Sequence, residues 1–373
     1  GSLVDKTKTR FGKLRPYLLA VPIPMAVFTI LTFINVDMSY SNRLLYAYVT
    51  YIGWGMIYTV SDVPYWGLSA AMTTDPKQRL SIISMARVFC NIGLAISIVI
   101  PPIIISLFAG QQLGYTLSAI LMAIVGGTLF FLAFFNTKER VVASSQDQSI
   151  LKNLSLLKHN KPLLLLQSSR ILGALRMGLA AAGTYFAKYN LGNELYFSIL
   201  GGTLIISMIT AIILTPQFSK KINKKVLYQG SLILGAFAHL AMFVFGYDNM
   251  LLLFGFLFVA GFGMGVNDVI MYSMVTDSID YLQLQTNKRL EGVSFSLHTF
   301  TTKMQTAISA FVIGWVLQVY GFVENVSQSP QALMGIFMLL TILPAIASLL
   351  SLIPMHYYPL TEAKHKEILE KIQ

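Results

Sequence analysis

The composition is that of a chain whose main solvent is lipid rather than water. Of its 373 residues, 55% are hydrophobic and only 12% are charged, about half of the charged fraction that a soluble globular domain carries. A net charge of +11 could indicate a nucleic-acid partner, but the basic residues are spread over the loops between apolar runs and form no single patch. We therefore expect no nucleic-acid binding.

Ten apolar runs predict the membrane-spanning segments. Four uncharged runs reach about the 20 residues that cross roughly 30 Å of hydrocarbon: residues 17–36, 113–135, 195–219 and 332–355. Six more are apolar apart from one or two polar interruptions: residues 44–72, 82–108, 162–187, 226–247, 249–276 and 293–320. Backbone amides in lipid need partners within their own segment, and the alternation of barrel strands is absent. The sequence predicts an all-α polytopic membrane protein.

The basic residues predict how the chain is oriented. Most of the 27 Lys and Arg residues lie in the loops on one side of the predicted spans, whereas the loops on the other side hold only Arg43 and Lys188. Cytoplasmic loops carry such an excess, so both termini are expected in the cytoplasm and the protein in the inner cell membrane. The single Cys90 lies within a span and predicts neither a disulfide nor a metal site.

Polar stretches predict the domain boundaries. We expect an incomplete N-terminal bundle of four spans, a cytoplasmic linker whose second part (Ile150 to Lys161) is amphipathic, a six-helix bundle and a cytoplasmic tail: residues 1–136, 137–161, 162–358 and 359–373. Transporters are commonly built from two similar halves. Aligning the basic loop DKTKTRFGKLRP with SKKINKKVLYQG pairs the first four spans with the last four, and two helices are then expected to be missing before Gly1.

Charged side chains within the spans are the candidate functional residues. A charge at the bilayer centre costs about 2.5 to 3.5 kcal/mol, so each one needs a reason to be there. Six charged residues qualify: Asp62, Arg87, Arg170, Arg176, Asp268 and Lys303.

Asp62 lies about 15 Å from the inner end of its predicted helix, near the midplane. Tyr58, Asp62 and Trp66 follow one another at intervals of four residues and share one helix face. An indole can stack on the apolar face of a pyranose while a carboxylate binds its hydroxyl groups. This face predicts a sugar site; the alternative is that Asp62 pairs with a cation and locks helices together.

Lys303 also lies about 15 Å into its span, with Thr299 one turn earlier and His298 beside it. A buried ammonium needs a counter-charge, and Asp62 at the same depth in the other half is the candidate. His298 has no neighbour at metal-ligand spacing, so no metal site is predicted.

The other charges leave alternatives open. Arg87, about 9 Å from the inner end of its span, could bind substrate or extend to the membrane surface. For Arg170 and Arg176 structural pairing is favoured, and Asp268, after a glycine-rich turn, is expected to pair with one of these arginines unless it has a functional role. Motifs of ATPases, proteases and hydrolases are absent. We expect no enzyme and no cofactor, and transport driven by an ion gradient.

These motifs resemble the glycoside-pentoside-hexuronide:cation symporter family of the major facilitator superfamily, over essentially the whole chain. The opening segment GSLVDKTKTRFGKLRPYLL is similar to the family's loop after its second helix, which implies about ten of the usual twelve transmembrane helices. YTVSDVPYW resembles the family's fourth helix. The resemblance implies that Asp62 and Trp66 bind the sugar and that Tyr58 and Thr59 lie near sugar and cation. It also implies sugar contacts on Arg87.

Further residues are assigned by the same resemblance. Lys303 and Thr299 match the family's eleventh helix, and TDSIDY resembles the inner loop after its tenth. Asp277 and Asp280 are therefore expected to engage basic groups in an inner gate, to which Arg10 and Arg15 are assigned; the alternative is a solvated loop.

Two departures leave the identity of the sugar open. His298 stands where the family shows a glutamine, and Asp268 stands near an expected aromatic contact; both are kept as candidate substrate contacts. The family's first- and second-helix carboxylates would lie before Gly1.

The resulting functional prediction is symport of a glycoside or small sugar with Na⁺, H⁺ or Li⁺ by alternating access. Asp62, Thr59 and Lys303 are the candidate coupling residues, since cation and sugar must favour the same state. We expect a monomer in the lipid bilayer. The alternatives are a truncated, transport-inactive scaffold or sensor and a lipid or drug carrier on the same fold.

Overall fold

The structure is a computed structural model that describes residue 4, residue 7 and residues 9–108, 111–140, 155–193 and 195–372. In these residues the regular secondary structure is helical, apart from one isolated bridge between Thr9 and Gly12. The prediction of an all-α protein is confirmed.

Among the described residues up to 140 there are five helices. They are α1 (Arg15–Ala20), α2 (Pro22–Phe33), α3 (Tyr40–Ala71), α4 (Pro76–Ser106) and α5 (Gln111–Asn136). Helix α4 begins at Pro76 because a proline suits the first helical position and the Asp75 side chain accepts a hydrogen bond from the Lys77 amide at 2.9 Å. The break between α1 and α2 falls at Val21, directly before Pro22.

The second half holds nine helices in the described residues. They are α6 (Lys161–Leu172), α7 (Gly178–Tyr185), α8 (Leu195–Phe218), α9 (Lys224–Phe245), α10 (Met250–Thr286), α11 (Glu291–Val319), α12 (Pro330–Leu340), α13 (Ile342–His356) and α14 (Glu362–Ile372). The predicted span 162–187 is interrupted: a 3₁₀ turn, Ala174–Met177, separates α6 from α7, and a π-turn, Phe186–Asn190, follows.

Six helical segments in the described residues are long and apolar enough to cross a bilayer. They are Pro76–Ser97, Gln112–Asn136, Leu195–Phe218, Lys224–Phe245, Met250–Thr286 and Pro330–His356. Each coincides with a predicted span. At the other predicted spans the helix is apolar but short, as in Pro22–Phe33, or carries more polar residues, among them Asp62 on α3 and Lys303 on α11. The protein is therefore a multi-pass membrane protein.

The chain divides into two compact units. The first comprises Gly1–Arg79, Phe89–Leu154 and Lys288–Thr299; the second comprises Leu80–Val88, Ser155–Asn287 and Phe300–Gln373. Part of α4 belongs to the second unit, where the Ser84 hydroxyl donates to the Ile212 carbonyl at 2.8 Å. The predicted linker lies largely outside the described residues, since 141–154 are not among them.

Close backbone approach holds α10 against its neighbours in the second unit. A Cβ on Gly263 would lie 2.7 Å from the Ser231 carbonyl oxygen, and one on Gly265 would lie 2.5 Å from that of Met208. Small residues at helix interfaces allow such packing in lipid, where van der Waals contact replaces the hydrophobic effect. The predicted glycine-rich turn is thus wrong, because these glycines lie inside a continuous helix.

Candidate functional site

The Asp62 carboxylate is the centre of a polar cluster in the first unit. Its Oδ1 accepts hydrogen bonds from the Trp66 indole at 3.1 Å and from the Tyr58 hydroxyl at 3.4 Å. Its Oδ2 accepts a hydrogen bond from the Thr299 hydroxyl at 2.7 Å. Helix α3 aligns Tyr58, Asp62 and Trp66 on one face because a spacing of four residues places them about one turn apart. The structure therefore brings together four predicted site residues from α3 and the start of α11.

The aromatic surface beside Asp62 differs from the predicted one. Trp66 is only 5% exposed and packs edge-on against Tyr65, so in this structure its indole serves as a donor to Asp62. Tyr58 is 38% exposed and stacks on Trp54 with ring centroids 5.5 Å apart and an interplanar angle of 9°. Sequence reasoning missed Trp54, although it continues the same spacing of four residues along α3.

Three other predicted site residues lie close to this cluster along the chain. The Thr59 hydroxyl donates to the Gly55 carbonyl at 2.8 Å, one turn earlier on α3. His298 is buried beside Thr299, and Lys303 is an exposed residue one turn further along α11. The predicted charge pair between Asp62 and Lys303 stays a prediction, because Lys303 belongs to the second unit.

A second polar cluster lies in the second unit. The Arg87 guanidinium forms an ion pair with Asp268 on α10 and lies over the Tyr272 ring, 5.1 Å from its centroid. The Arg87 and Asp268 side chains are 20% and 14% exposed. The prediction that Asp268 pairs with Arg170 or Arg176 is wrong, because Asp268 forms its ion pair with Arg87.

Arg170 and Arg176 lie on either side of the break after α6. Arg170 occupies the last turn of α6, and Arg176 lies in the 3₁₀ turn. The Arg176 Nη1 donates to the Asn267 side-chain oxygen at 3.1 Å. Structural pairing of these arginines with a carboxylate, which the sequence favoured, is not found among the described residues.

The opening motif forms a capped turn in the first unit. Gly12 has a φ of +101°, and an added Cβ would lie 2.4 Å from the Glu139 carboxyl. That carboxylate accepts hydrogen bonds from the backbone amides of Lys13, Leu14 and Arg15 at 3.0, 2.8 and 2.9 Å. The glycine is therefore required both for its conformation and for its lack of a side chain.

A buried ion network joins this turn to α11. The Lys13 ammonium pairs with Glu291, and the Arg289 guanidinium reaches the same carboxylate at 2.5 Å and the Ala70 carbonyl at 3.1 Å. Burial alone would raise the pKa of the Glu291 carboxyl, but the charges of Lys13 and Arg289 outweigh it and lower the pKa below its ordinary value.

The predicted gate residues have local partners. Arg10 lies over the Phe11 ring at 4.7 Å, and Arg15 lies over the Phe134 ring at 4.8 Å while donating to the Phe134 carbonyl at 2.8 Å. These partners belong to the first unit, and a gating role for either arginine stays a prediction.

Asp277 and Asp280 form a buried cluster towards the C-terminal end of α10 in the second unit. Asp277 pairs with Lys224 at 2.5 Å, and His365 on α14 lies 3.0 Å from Asp280 and 3.6 Å from Asp277. The aspartates and the histidine place ligand atoms within 4.8 Å of one another, a grouping that the sequence spacing did not reveal. Because the Lys224 ammonium already binds Asp277, the cluster is better described as an ion-pair network that docks the tail.

The fold and the charged clusters inside its membrane-spanning helices define a membrane transporter. The fucose:proton symporter of Escherichia coli has a similar fold, with a TM-score of 0.65 at 12% identity over 93% of this chain and 84% of that protein. The profile of the family described as MFS/sugar transport protein matches residues 1–362. The chain belongs to this family, the glycoside-pentoside-hexuronide symporter family of the major facilitator superfamily.

Similar proteins have been named in several bacteria. The glucuronide carrier protein homolog of Escherichia coli is 30% identical over 383 residues, which cover 100% of this chain and 82% of that protein. The isoprimeverose transporter of Lactiplantibacillus pentosus is 30% identical over 377 residues, or 98% of this chain and 78% of that protein. The similarity to transporters, rather than to enzymes, spans nearly the whole chain.

Proposed function

We propose that this protein carries a glycoside or another small sugar across the inner cell membrane together with a monovalent cation, by alternating access. The observation that carries the proposal is the Asp62 carboxylate on α3, at a predicted membrane span, which accepts hydrogen bonds from Trp66, Tyr58 and Thr299. A charged side chain within a membrane span is costly, so such a residue normally has a functional role. The names of the two relatives, a glucuronide carrier homolog and an isoprimeverose transporter, support a sugar as the substrate.

The chemistry of the Asp62 cluster suits a polyhydroxylated ligand. An ionised carboxylate accepts several hydrogen bonds at once, so sugar hydroxyl groups can replace protein donors on Asp62 without leaving it unsatisfied. The exposed Tyr58 ring, stacked on Trp54, offers an aromatic face of the kind that packs against the C–H face of a pyranose. A lipid or drug carrier would have little use for this concentration of polar groups.

Coupling to a cation follows from the charge of the same carboxylate. Na⁺, Li⁺ or a proton bound near Asp62 and Thr59 would neutralise the carboxylate and change which donors it holds. Each ligand must then raise the affinity for the other by one shared factor. Lys303, one turn beyond Thr299 on α11, is proposed as a further coupling residue.

Uptake of labelled glycosides into proteoliposomes, driven by a Na⁺ or proton gradient, tests this function. Asp62→Asn keeps the shape of the side chain and removes its charge, so coupled uptake should fall by about tenfold or more. Asp37→Asn, at an exposed position before α3, is the matched control and should transport normally. Coupled uptake by Asp62→Asn at the wild-type rate would overturn the role of this carboxylate.

A further inference from the structure

An aromatic stack beside Asp62 is tied to a neighbouring helix. The indole ring of Trp54 lies nearly parallel to the Tyr58 ring, with the centroids 5.5 Å apart and an angle of 9° between the planes. The Trp54 Nε1 donates a hydrogen bond to the Thr29 hydroxyl on α2 at 3.1 Å. That hydroxyl in turn donates to the Met25 carbonyl at 2.8 Å. Two successive hydrogen bonds therefore fix the position of the indole from outside its own helix.

Helices α2 and α3 approach each other closely at the level of this stack. Gly53, which precedes Trp54, has no space for a Cβ because the Phe28 ring of α2 occupies it. Phe28 adjoins Thr29 in the sequence, so the close packing and the hydrogen bond to the indole occur at the same turn of α2. Both helices belong to the first unit. Their contact limits how far the indole can rotate.

An aromatic pair at a spacing of four residues could serve only to stabilise a helix that faces lipid. The pair lies, however, on the helix face that carries Asp62 and Trp66, and the Thr299 hydroxyl of α11 contacts that face. Tyr58 also donates to the Asp62 carboxylate, at 3.4 Å, while its side chain stays exposed. The Tyr58 ring thus links the stack to the polar cluster. A ligand at Asp62 can reach this ring, whose orientation depends on Trp54.

We propose that Trp54 is a positioning residue for sugar binding. With Thr29 as its anchor, it holds the Tyr58 ring in the orientation that packs against the C–H face of the sugar. The proposal deepens the function proposed above and rests on it. A side chain that must be ordered on binding costs conformational entropy, and a ring already held by stacking loses less of it. The indole acts through Tyr58 and need not touch the sugar.

The test measures binding to the purified full chain and gradient-driven uptake into proteoliposomes. The probes are methyl β-D-glucoside, methyl β-D-galactoside and methyl β-D-xyloside. Trp54→Leu removes the stack and should raise both the Kd and the KM of the best-bound glycoside by about two- to tenfold, the range that an aromatic pair supplies. The maximal rate of uptake should stay within about twofold of wild type, because the lost interaction contributes to binding and not to the later steps.

Thr29 supplies a matched pair of variants on the neighbouring helix. Thr29→Val removes the acceptor of the indole N–H and should reproduce part of the effect of Trp54→Leu, whereas Thr29→Ser keeps the hydroxyl and should bind sugar as the wild type does. Adding Thr29→Val to Trp54→Leu should cause little further loss, because both changes act through the same stack. Trp315→Leu, which removes an exposed tryptophan of α11, is the control and should leave the KM unchanged.

A Trp54→Leu protein that binds the glycoside as tightly as the wild type would overturn the proposal. So would a Thr29→Ser variant as weak as Thr29→Val, since the hydroxyl would then not be the cause. If Trp54→Leu fails to fold, equal binding by Thr29→Val and wild type overturns the inference. In each case the proposed function stands, provided that the wild type binds a glycoside and Asp62→Asn loses coupled uptake. If the wild type binds and transports none of the three probes, the proposed function fails and this inference with it.

Discussion

Replacing the buried Glu291 by glutamine should destabilise the first unit more than any exposed charge change. The carboxylate is fully buried and binds both Lys13 and Arg289. Glutamine has nearly the same shape, but it removes the negative charge that faces two cationic side chains, which are 10% and 6% exposed. Removing one partner of a buried ion pair costs about 3 to 5 kcal/mol.

The assay is thermal unfolding of the purified protein in detergent. The matched control is Glu367→Gln, which breaks an exposed pair with Lys371 on α14 and should leave the unfolding temperature nearly unchanged. The double variant Lys13→Met, Glu291→Gln should be less destabilised than the two single changes predict together, because the charges depend on each other. If Glu291→Gln unfolds at the same temperature as Glu367→Gln, the network does not stabilise the N-terminal end of α11.

Three further predictions follow from the same contacts. The pKa of Glu291 is lowered in the folded state, so its ionised carboxylate contributes its full stabilisation above the ordinary pKa near 4.5. This stabilisation is lost as the pH falls through the lower pKa of the folded protein. The difference in unfolding temperature between wild type and Glu291→Gln should therefore be constant near neutral pH and shrink below about pH 4.5. Gly12→Ala should cost at least about 1 to 2 kcal/mol in unfolding experiments, since its φ is +101° and its Cβ would meet Glu139; wild-type stability would contradict this reading. Thr299→Val removes the 2.7 Å donor to Asp62 and should weaken sugar binding by about three- to tenfold in calorimetry, whereas Thr306→Val, further along α11, should not.

The membrane fold could be predicted from the sequence because its cause is local. An apolar run of about 20 residues indicates both the length of a span and its lipid environment. Helix is found at every predicted span in the described residues, although the helices at 17–36 and 162–187 are interrupted. The cluster of Tyr58, Asp62 and Trp66 could also be predicted from the sequence, because the helical period alone places these residues on one face. Trp54 shares that period but was missed, because an apolar run contains many aromatic residues and the sequence does not show which of them stack.

Contacts between distant segments could not be read in this way. Asp268 was assigned to the wrong arginine because its partner is 181 positions away in the chain, and charge alone does not choose among three arginines. At the break after α6, Ser351 and Arg176 leave no space for a Cβ on Gly173, and a hydropathy pattern does not contain such a contact. His365 looked like part of a solvated tail, although it is buried against Asp280.

The seating of α14 has a practical consequence for handling the protein. Trimming the chain before His365 would uncover two acids on α10, Asp277 and Asp280, that share the imidazole. A purification tag is therefore better placed beyond α14 than substituted for it, and a low yield from versions without α14 would reflect exposed acids on α10 and not a defect in transport.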